Sequence, residues 1–210
     1  MNAAQEPNEP GDLFARNVPG TTARLARATV GIAGCGGIGS NAAVSLVRAG
    51  VGRLILVDHD RVELSNLNRQ AFFRADIGRR KVAALADHLR AIHPGVHLVC
   101  HELRLEAPQV AELFADADVL VEAFDDAAAK QWLIEAWCRA YPQRPIVVGS
   151  GLAGYGRTEL LTVRAAGTIH VCGDQASDMA GGLCAPRVAA VANMEANVAI
   201  ELLLDRDPQE

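Results

Sequence analysis

Four groups of residues have types and spacing that could do chemistry. The segment "GCGGIG" supplies Gly34, Gly36, Gly37 and Gly39. Without Cβ atoms its turn can be tight, its backbone N–H groups can face phosphate oxygens, and a following helix N-terminus adds favourable polarity. Asp58 comes nineteen residues after Gly39, at the end of the next apolar run, where a carboxylate would bind a ribose hydroxyl. Beyond it, "VELSNLNRQ" and the residues up to 81 place Asn66, Asn68, Arg69, Gln70, Arg79, Arg80 and Lys81 past that acidic strand end. Arg69 can grip phosphate with two parallel donors and Lys81 offers a mobile point charge. A triphosphate uses both; a nicotinamide dinucleotide needs neither. Finally, "EAFDD" puts Asp125 at the same edge, a hard carboxylate able to hold Mg2+ against substrate phosphates.

Each assignment has a structural rival. Asn66 and Asn68 could cap turns, Arg69 and Lys81 could form surface ion pairs, and Arg79 and Arg80 read as a solvated face. Between the two adjacent aspartates, Asp126 is the better helix cap. The glycine loop lacks the Lys-Ser/Thr pair of a conventional P-loop. The histidines have no metal-ligand spacing, and neither a Ser-His-Asp set nor a Cys-His pair emerges.

The elements that must position these residues alternate between strand and helix. "ATVGIAG" (28–34) reads as a buried strand, 38–50 as a helix closed by Gly50, and "GRLILVDHD" as the second strand. A helix over roughly 78–92, a strand at 96–103, a short helix near 108–115, a strand at 118–123, a helix at 127–140 and the strand "PIVVGS" follow. Strands joined by helix-length crossovers run parallel, which predicts an α/β, Rossmann-like sheet with helices on both faces and a crevice at the carboxyl strand ends. After Ser150, "GLAGYGRTELLTV" and "TIHVCGD" read as antiparallel C-terminal strands. Pro186 opens a long final helix, apolar around most of its circumference and so buried against the domain or a second subunit.

The expected organisation is a single domain over 13–205 behind a disordered polar tail at 1–12, with fraying at 206–210. A net charge of −5 gives no general attraction to nucleic acid or anionic membrane, so any polyphosphate must be held by locally placed cations. No signal peptide or membrane span is read, and a cytoplasmic location is the default. Five cysteines without a C-x-x-C pair argue against structural zinc and a disulfide scaffold.

"GIAGCGGIGSN", "DHDRVELSNLNRQ", "DIGRRK", the strand-terminal "FDD" and the late "CGD…GGLCAPRV" together resemble the ThiF, MoeB and ubiquitin-activating-enzyme superfamily, especially its short ThiF-like branch. The resemblance covers about residues 14–204. It implies ATP with Mg2+: the loop from Gly34 to Gly39 against the adenylate, Asp58 on the ribose, Asn66, Arg69 and Lys81 on the phosphates, and Asp125 on the metal. It also implies a homodimer in which an arginine near the N-terminus, here Arg16, reaches the partner's site. The expected reaction is adenylylation of the C-terminal glycine of a small ubiquitin-like sulfur carrier, ThiS-like, in thiamine biosynthesis, with glycines 151, 154, 156, 181 and 182 walling a channel for its Gly-Gly tail. Activation of another carboxylate or of a modified nucleoside, and a non-catalytic ATP-binding module, are the alternatives. The sulfur-handling cysteine of larger relatives has no secure counterpart; Cys172 and Cys184 lie where it would be sought, and a buried thiol is the competing role.

Overall fold

The computed structural model describes residues 12–205. The expected tail at 1–12, apart from Asp12, and the fraying at 206–210 lie outside them. A seven-stranded sheet has the order β3-β2-β1-β4-β5-β7-β6. Its strands are β1 (Thr29–Ala33), β2 (Arg53–Val57), β3 (His97–His101), β4 (Val119–Glu122), β5 (Ile146–Gly149), β6 (Thr162–Ala166) and β7 (Ile169–Gly173). The helices are α1 (Thr22–Leu25), α2 (Gly37–Ala49), α3 (Lys81–Ile92), α4 (Val110–Leu113), α5 (Ala127–Ala140) and α6 (Ala185–Asp205).

The central strands are short runs of Val, Ile and Leu buried on both faces, as parallel strands covered by helices must be. One face packs Val30, Ile32, Val119 and Val121 against α2, α3 and α6; the other packs Ile55, Leu120 and Ile146 against α4 and α5. Helix boundaries follow local chemistry. Gly50 ends α2 in the left-handed region at φ 102°. The Asp126 carboxylate accepts from the Ala129 amide at 2.7 Å to cap α5, which ends one residue short of Pro142.

Two expectations change in detail. Residues 151–161 form no strand: they make an irregular segment with one 3-10 turn before β6. The pair β6 and β7 is antiparallel, but β7 joins β5 in parallel, with Gly149 opposite Cys172, so only the edge strand runs against the rest. The reason is the 151–161 excursion, which carries the chain past the β7 position before β6 turns back. The final helix, for which burial was expected in the domain or a second subunit, is buried in the chain itself: Val188, Val191, Ala192, Ala196 and Ala199 face α2 and the sheet. Among the described residues no helix is long and apolar enough to cross a membrane.

Candidate functional site

The strand order places β1 and β4 side by side with their connections leaving in opposite directions, and a crevice opens at their carboxyl ends. There a cavity of about 390 Å3 is lined by Gly34, Gly36, Gly37, Asp58, Asp60, Arg69, Gln70, Lys81, Asp125 and Lys130, with Gly149, Ser150 and Gly151 at its far side. That volume falls among small-molecule sites, roughly 300–1,000 Å3.

The glycine loop does two separate jobs. Gly34 sits at φ 99°, where a side chain would be strained and a Cβ would lie 2.9 Å from the Ala123 carbonyl oxygen. A Cβ on Gly39 would lie 1.8 Å from the Gly34 carbonyl oxygen, so Gly39 closes the turn onto α2 and does not line the cavity. Gly36 and Gly37 line it at the start of α2, which has no side-chain cap. The first amides of the helix therefore remain available to an anion.

The segment after β2 is pinned over that helix start by α2 itself. Ser40 Oγ donates to the Gly36 carbonyl at 2.6 Å and accepts from the Ala71 amide at 3.0 Å. Asn41 Nδ2 donates to the carbonyls of Gly37 (2.7 Å) and Arg69 (2.9 Å). As a result the Arg69 side chain lies over the loop, its Cγ 3.7 Å from where a Gly37 Cβ would be. Arg69 donates to Asn68 Oδ1 at 2.8 Å and forms no salt bridge among the described residues, which leaves its charge open to the cavity. Gln70 is buried beside it, and its Oε1 has no hydrogen-bond partner.

Asp58 is tied to the loop through Oδ2, which accepts from the Cys35 amide at 2.6 Å, while Oδ1 accepts from the Asp60 amide of its own segment at 2.7 Å. Each oxygen keeps lone-pair capacity toward the cavity. Lys81 is buried at the first position of α3, its Nζ 2.8 Å from Asp60 Oδ2. Burial opposes ionisation of Asp60, but the Lys81 hydrogen bond and charge, with His59 adding to them, hold its carboxyl below the usual range. Asp125 is exposed at the cavity edge, just before the Asp126 cap.

Of the residues read from sequence, the cavity thus gathers Gly34, Gly36, Gly37, Asp58, Arg69, Lys81 and Asp125. Asn66 stands outside the lining: its Oδ1 accepts from the Glu63 amide at 3.0 Å and its carbonyl from the Gln70 amide at 2.9 Å, so it shapes the turn that presents Arg69. Arg16 is exposed and does not line the cavity. Arg79 pairs with Asp76 and Asp87, and Arg80 with Glu102, as a solvated face should. Cys172 is fully buried on β7, where burial and the nearby Glu195 push its thiol up to about 12. The sequence reading missed Ser40, Asn41, Asp60 and Lys130. For the first three a signal existed, since all lie inside the motifs that carried the resemblance.

The residues present fit a phosphate-bearing group: among the described residues, a helix start with no side-chain cap, an arginine with no acidic partner and a buried amide oxygen with no hydrogen-bond partner converge on one space. The fold and this crevice define a Rossmann-like α/β protein with a glycine loop opening a helix at the carboxyl strand ends. The chain belongs to the ThiF family, whose model matches residues 13–210.

Its relatives serve different acceptors. It is 31% identical over 179 residues to the molybdopterin-synthase adenylyltransferase of Escherichia coli, covering 82% of this chain and 71% of that one. It is 36% identical over 140 residues to the sulfur carrier protein ThiS adenylyltransferase of the same organism, covering 66% and 55%. Among solved structures, the tRNA N6-threonylcarbamoyladenosine dehydratase TcdA of E. coli superposes with a TM-score of 0.80 at 21% identity, over 88% of this chain and 89% of that one. The chain spans about a third of the length of the MOCS3 adenylyltransferase–sulfurtransferases it matches in Caenorhabditis briggsae and Anopheles gambiae.

These comparisons overturn one expectation. A ThiS-like carrier and a place in thiamine biosynthesis do not hold for this chain: whole-fold similarity runs to TcdA, nearly end to end, and the ThiS relative covers less of both chains than the molybdopterin-synthase relative does. The physical reason is that the quoted motifs supply the glycine loop, Asp58, Arg69, Lys81 and Asp125, whereas the Ser150 and Gly151 side of the cavity lies outside them.

Proposed function

We propose that this chain is an ATP-using enzyme that activates a carboxylate by adenylylation, the acceptor being a metabolite, a peptide tail or a modified nucleoside. The observation that carries this reading is the convergence of an open glycine-loop helix start, Asp58, Arg69, Lys81 and Asp125 on one cavity at the switch point of the sheet. ATP would lie with its ribose toward Asp58 and its phosphates toward Arg69, Lys81 and the first amides of α2. Asp125 would hold Mg2+, which when bound supplies charge neutralisation on the phosphates.

The acceptor carboxylate is already ionised at neutral pH, so no side-chain nucleophile is needed. It attacks the α-phosphorus, the bond to the bridging oxygen breaks, and pyrophosphate leaves with the electron pair. What the chain supplies is alignment and a fixed field: Arg69 held by Asn41 and Asn68, and Lys81 held by Asp60, need no reorganisation as charge shifts. The acceptor enters from the side of Ser150 and Gly151. A homodimer would let Arg16 of a second copy complete the phosphate site.

The test is ATP binding followed by intact-mass detection of an AMP adduct on candidate carboxylates. Arg69→Ala and Lys81→Ala should each lower adduct formation by about 100-fold or more, with circular dichroism unchanged. Near-normal adenylylation by both variants would remove these residues from the mechanism.

A further inference from the structure

The chain has two lysines, Lys81 and Lys130, and both line the cavity. They approach it from different sides of β1. Lys81 comes from the β2 side, held by Asp60, whereas Lys130 projects from the first turns of α5 beyond β4. Lys130 Nζ is bonded to Glu122 Oε2, and Glu122, the last residue of β4, is fully buried. Its other oxygen, Oε1, accepts from the Phe124 amide at 2.7 Å.

This pair is unlike the others around the cavity. Asp60 is about half exposed, so solvent can compensate it if Lys81 moves. Glu122 has no such recourse, and Lys130 is the one cation that bonds it among the described residues. A buried carboxylate stripped of its cation is neutralised rather than left charged. The surroundings reinforce this. Glu122 faces Lys130 from α5, Asp125 from the following loop and, through the sheet edge, Glu195 from α6, so the two further charged groups are both acids. Burial already pushes Glu122 up, with Lys130 pulling it back.

We propose that Lys130 is a third anion-binding cation of the cavity, beside Arg69 and Lys81, drawn from Glu122 to the phosphates of the bound nucleotide, with one proton taken from solvent onto Glu122 as it leaves. The inference rests on the nucleotide reading of the cavity. The balance is simple: Lys130 stays an ammonium, Glu122 changes from carboxylate to carboxylic acid, and the proton comes from water admitted at the cavity mouth. Nucleotide binding is then proton-linked, and tighter at lower pH.

Isothermal titration with MgATP tests this at about pH 8, where the nucleotide phosphates carry no titrating proton, in two buffers of different ionisation enthalpy. The wild-type chain should take up roughly half to one proton per site. Lys130→Met should bind MgATP about tenfold more weakly with no uptake, and Glu122→Gln should bind at least as tightly as wild type, also with no uptake. If Lys130→Met fails to fold, the double variant with Glu122→Gln removes both charges together and carries the same expectation. MgATP binding by wild type with no buffer dependence overturns the inference alone, as does unchanged affinity in a folded Lys130→Met protein. Absence of any MgATP binding by wild type removes the nucleotide reading and this inference with it.

Discussion

The two halves of the cavity are built on different principles. On the side of β1, β2 and α3, a tight turn and side-chain-to-backbone hydrogen bonds between neighbouring segments hold the site: Ser40 and Asn41 clamp the 66–71 segment, and Asp58 ties the loop to the strand end. On the side of β4, β5 and residues 150–187, irregular backbone is held by buried charge. Arg187 in the first turn of α6 is buried, donates to Asp174 Oδ2 at 2.5 Å and to the Gly156 carbonyl at 2.5 Å, and so fastens both connecting loops to one helix. Asp174 also accepts from the amides of Ala176 and Ser177, and although burial opposes ionisation, these bonds and Arg187 hold its carboxyl at about 2. The glycine-loop half, proposed above for the nucleotide, is thus held by backbone geometry, and the half proposed for the acceptor by electrostatics. The two should fail in different ways.

Gly39→Ala should have the largest effect. Its Cβ would meet the Gly34 carbonyl at 1.8 Å, a backbone atom that cannot rotate away. Loss of more than about 3 kcal/mol of stability, or a rearranged loop with no nucleotide binding, is expected, read by thermal melting with and without ATP. Melting and binding like wild type would show that the glycine half tolerates strain and would erase the distinction.

Arg187→Ala should come next, at about 3 kcal/mol, because it leaves Asp174 buried without its cation. Its damage should be confined to the acceptor half: limited proteolysis should cut within 151–182 while ATP still binds. The wild-type clamp carries a pH signature of its own. Since Asp174 is depressed below the unfolded carboxylate value of roughly 3.9, its contribution is fully present above that pH and is lost as pH falls toward about 2. Acid melting curves of wild type and Arg187→Ala should therefore converge.

The smallest and most discriminating effect concerns Glu195. This residue of α6 is fully buried, neither carboxylate oxygen has a hydrogen-bond partner among the described residues, and one fills the space where a Gly149 Cβ would stand. Burial, with Glu122 adding to it, pushes its carboxyl well above the usual range. A raised folded pKa means that the native state holds the proton longer than the unfolded chain, so stability falls as pH rises from about 4.3, the unfolded value. Glu195→Gln should remove that slope and, near pH 8, exceed wild type by roughly 1–3 kcal/mol. Equal slopes from pH 5 to 8 would mean that the carboxyl finds a partner in solution.

The difference between the halves also explains what could be read from sequence. Asp58, Arg69 and Lys81 were legible because each follows a strand end or helix start whose position is set by local periodicity. Asp126 was correctly separated from Asp125 on capping chemistry alone. Asn66, by contrast, for which the resemblance implies a phosphate contact, lies outside the cavity lining with its Oδ1 holding the Glu63 amide, the turn-forming role that asparagine chemistry also offers. Lys130 went unnoticed because nothing in "DDAAAKQW" distinguishes a cavity lysine from a solvated helical one. Glu195 looked like any polar residue of an alanine-rich helix.

The sequence by itself determined the alternation of strands and crossovers, hence the parallel sheet, the crevice and the glycine turn at its mouth, because those depend on residue periodicity, glycine conformation and chain handedness. Only the tertiary structure decided that β7 lies parallel to β5, that α6 is buried in its own chain, that Glu122, Arg187 and Glu195 lie in the interior, and that Lys130 and Asp174 pair with the first two of them. Those pairings join residues 8 and 13 positions apart through packing of elements. Whether a charge is buried depends on what covers it, and no local pattern encodes that.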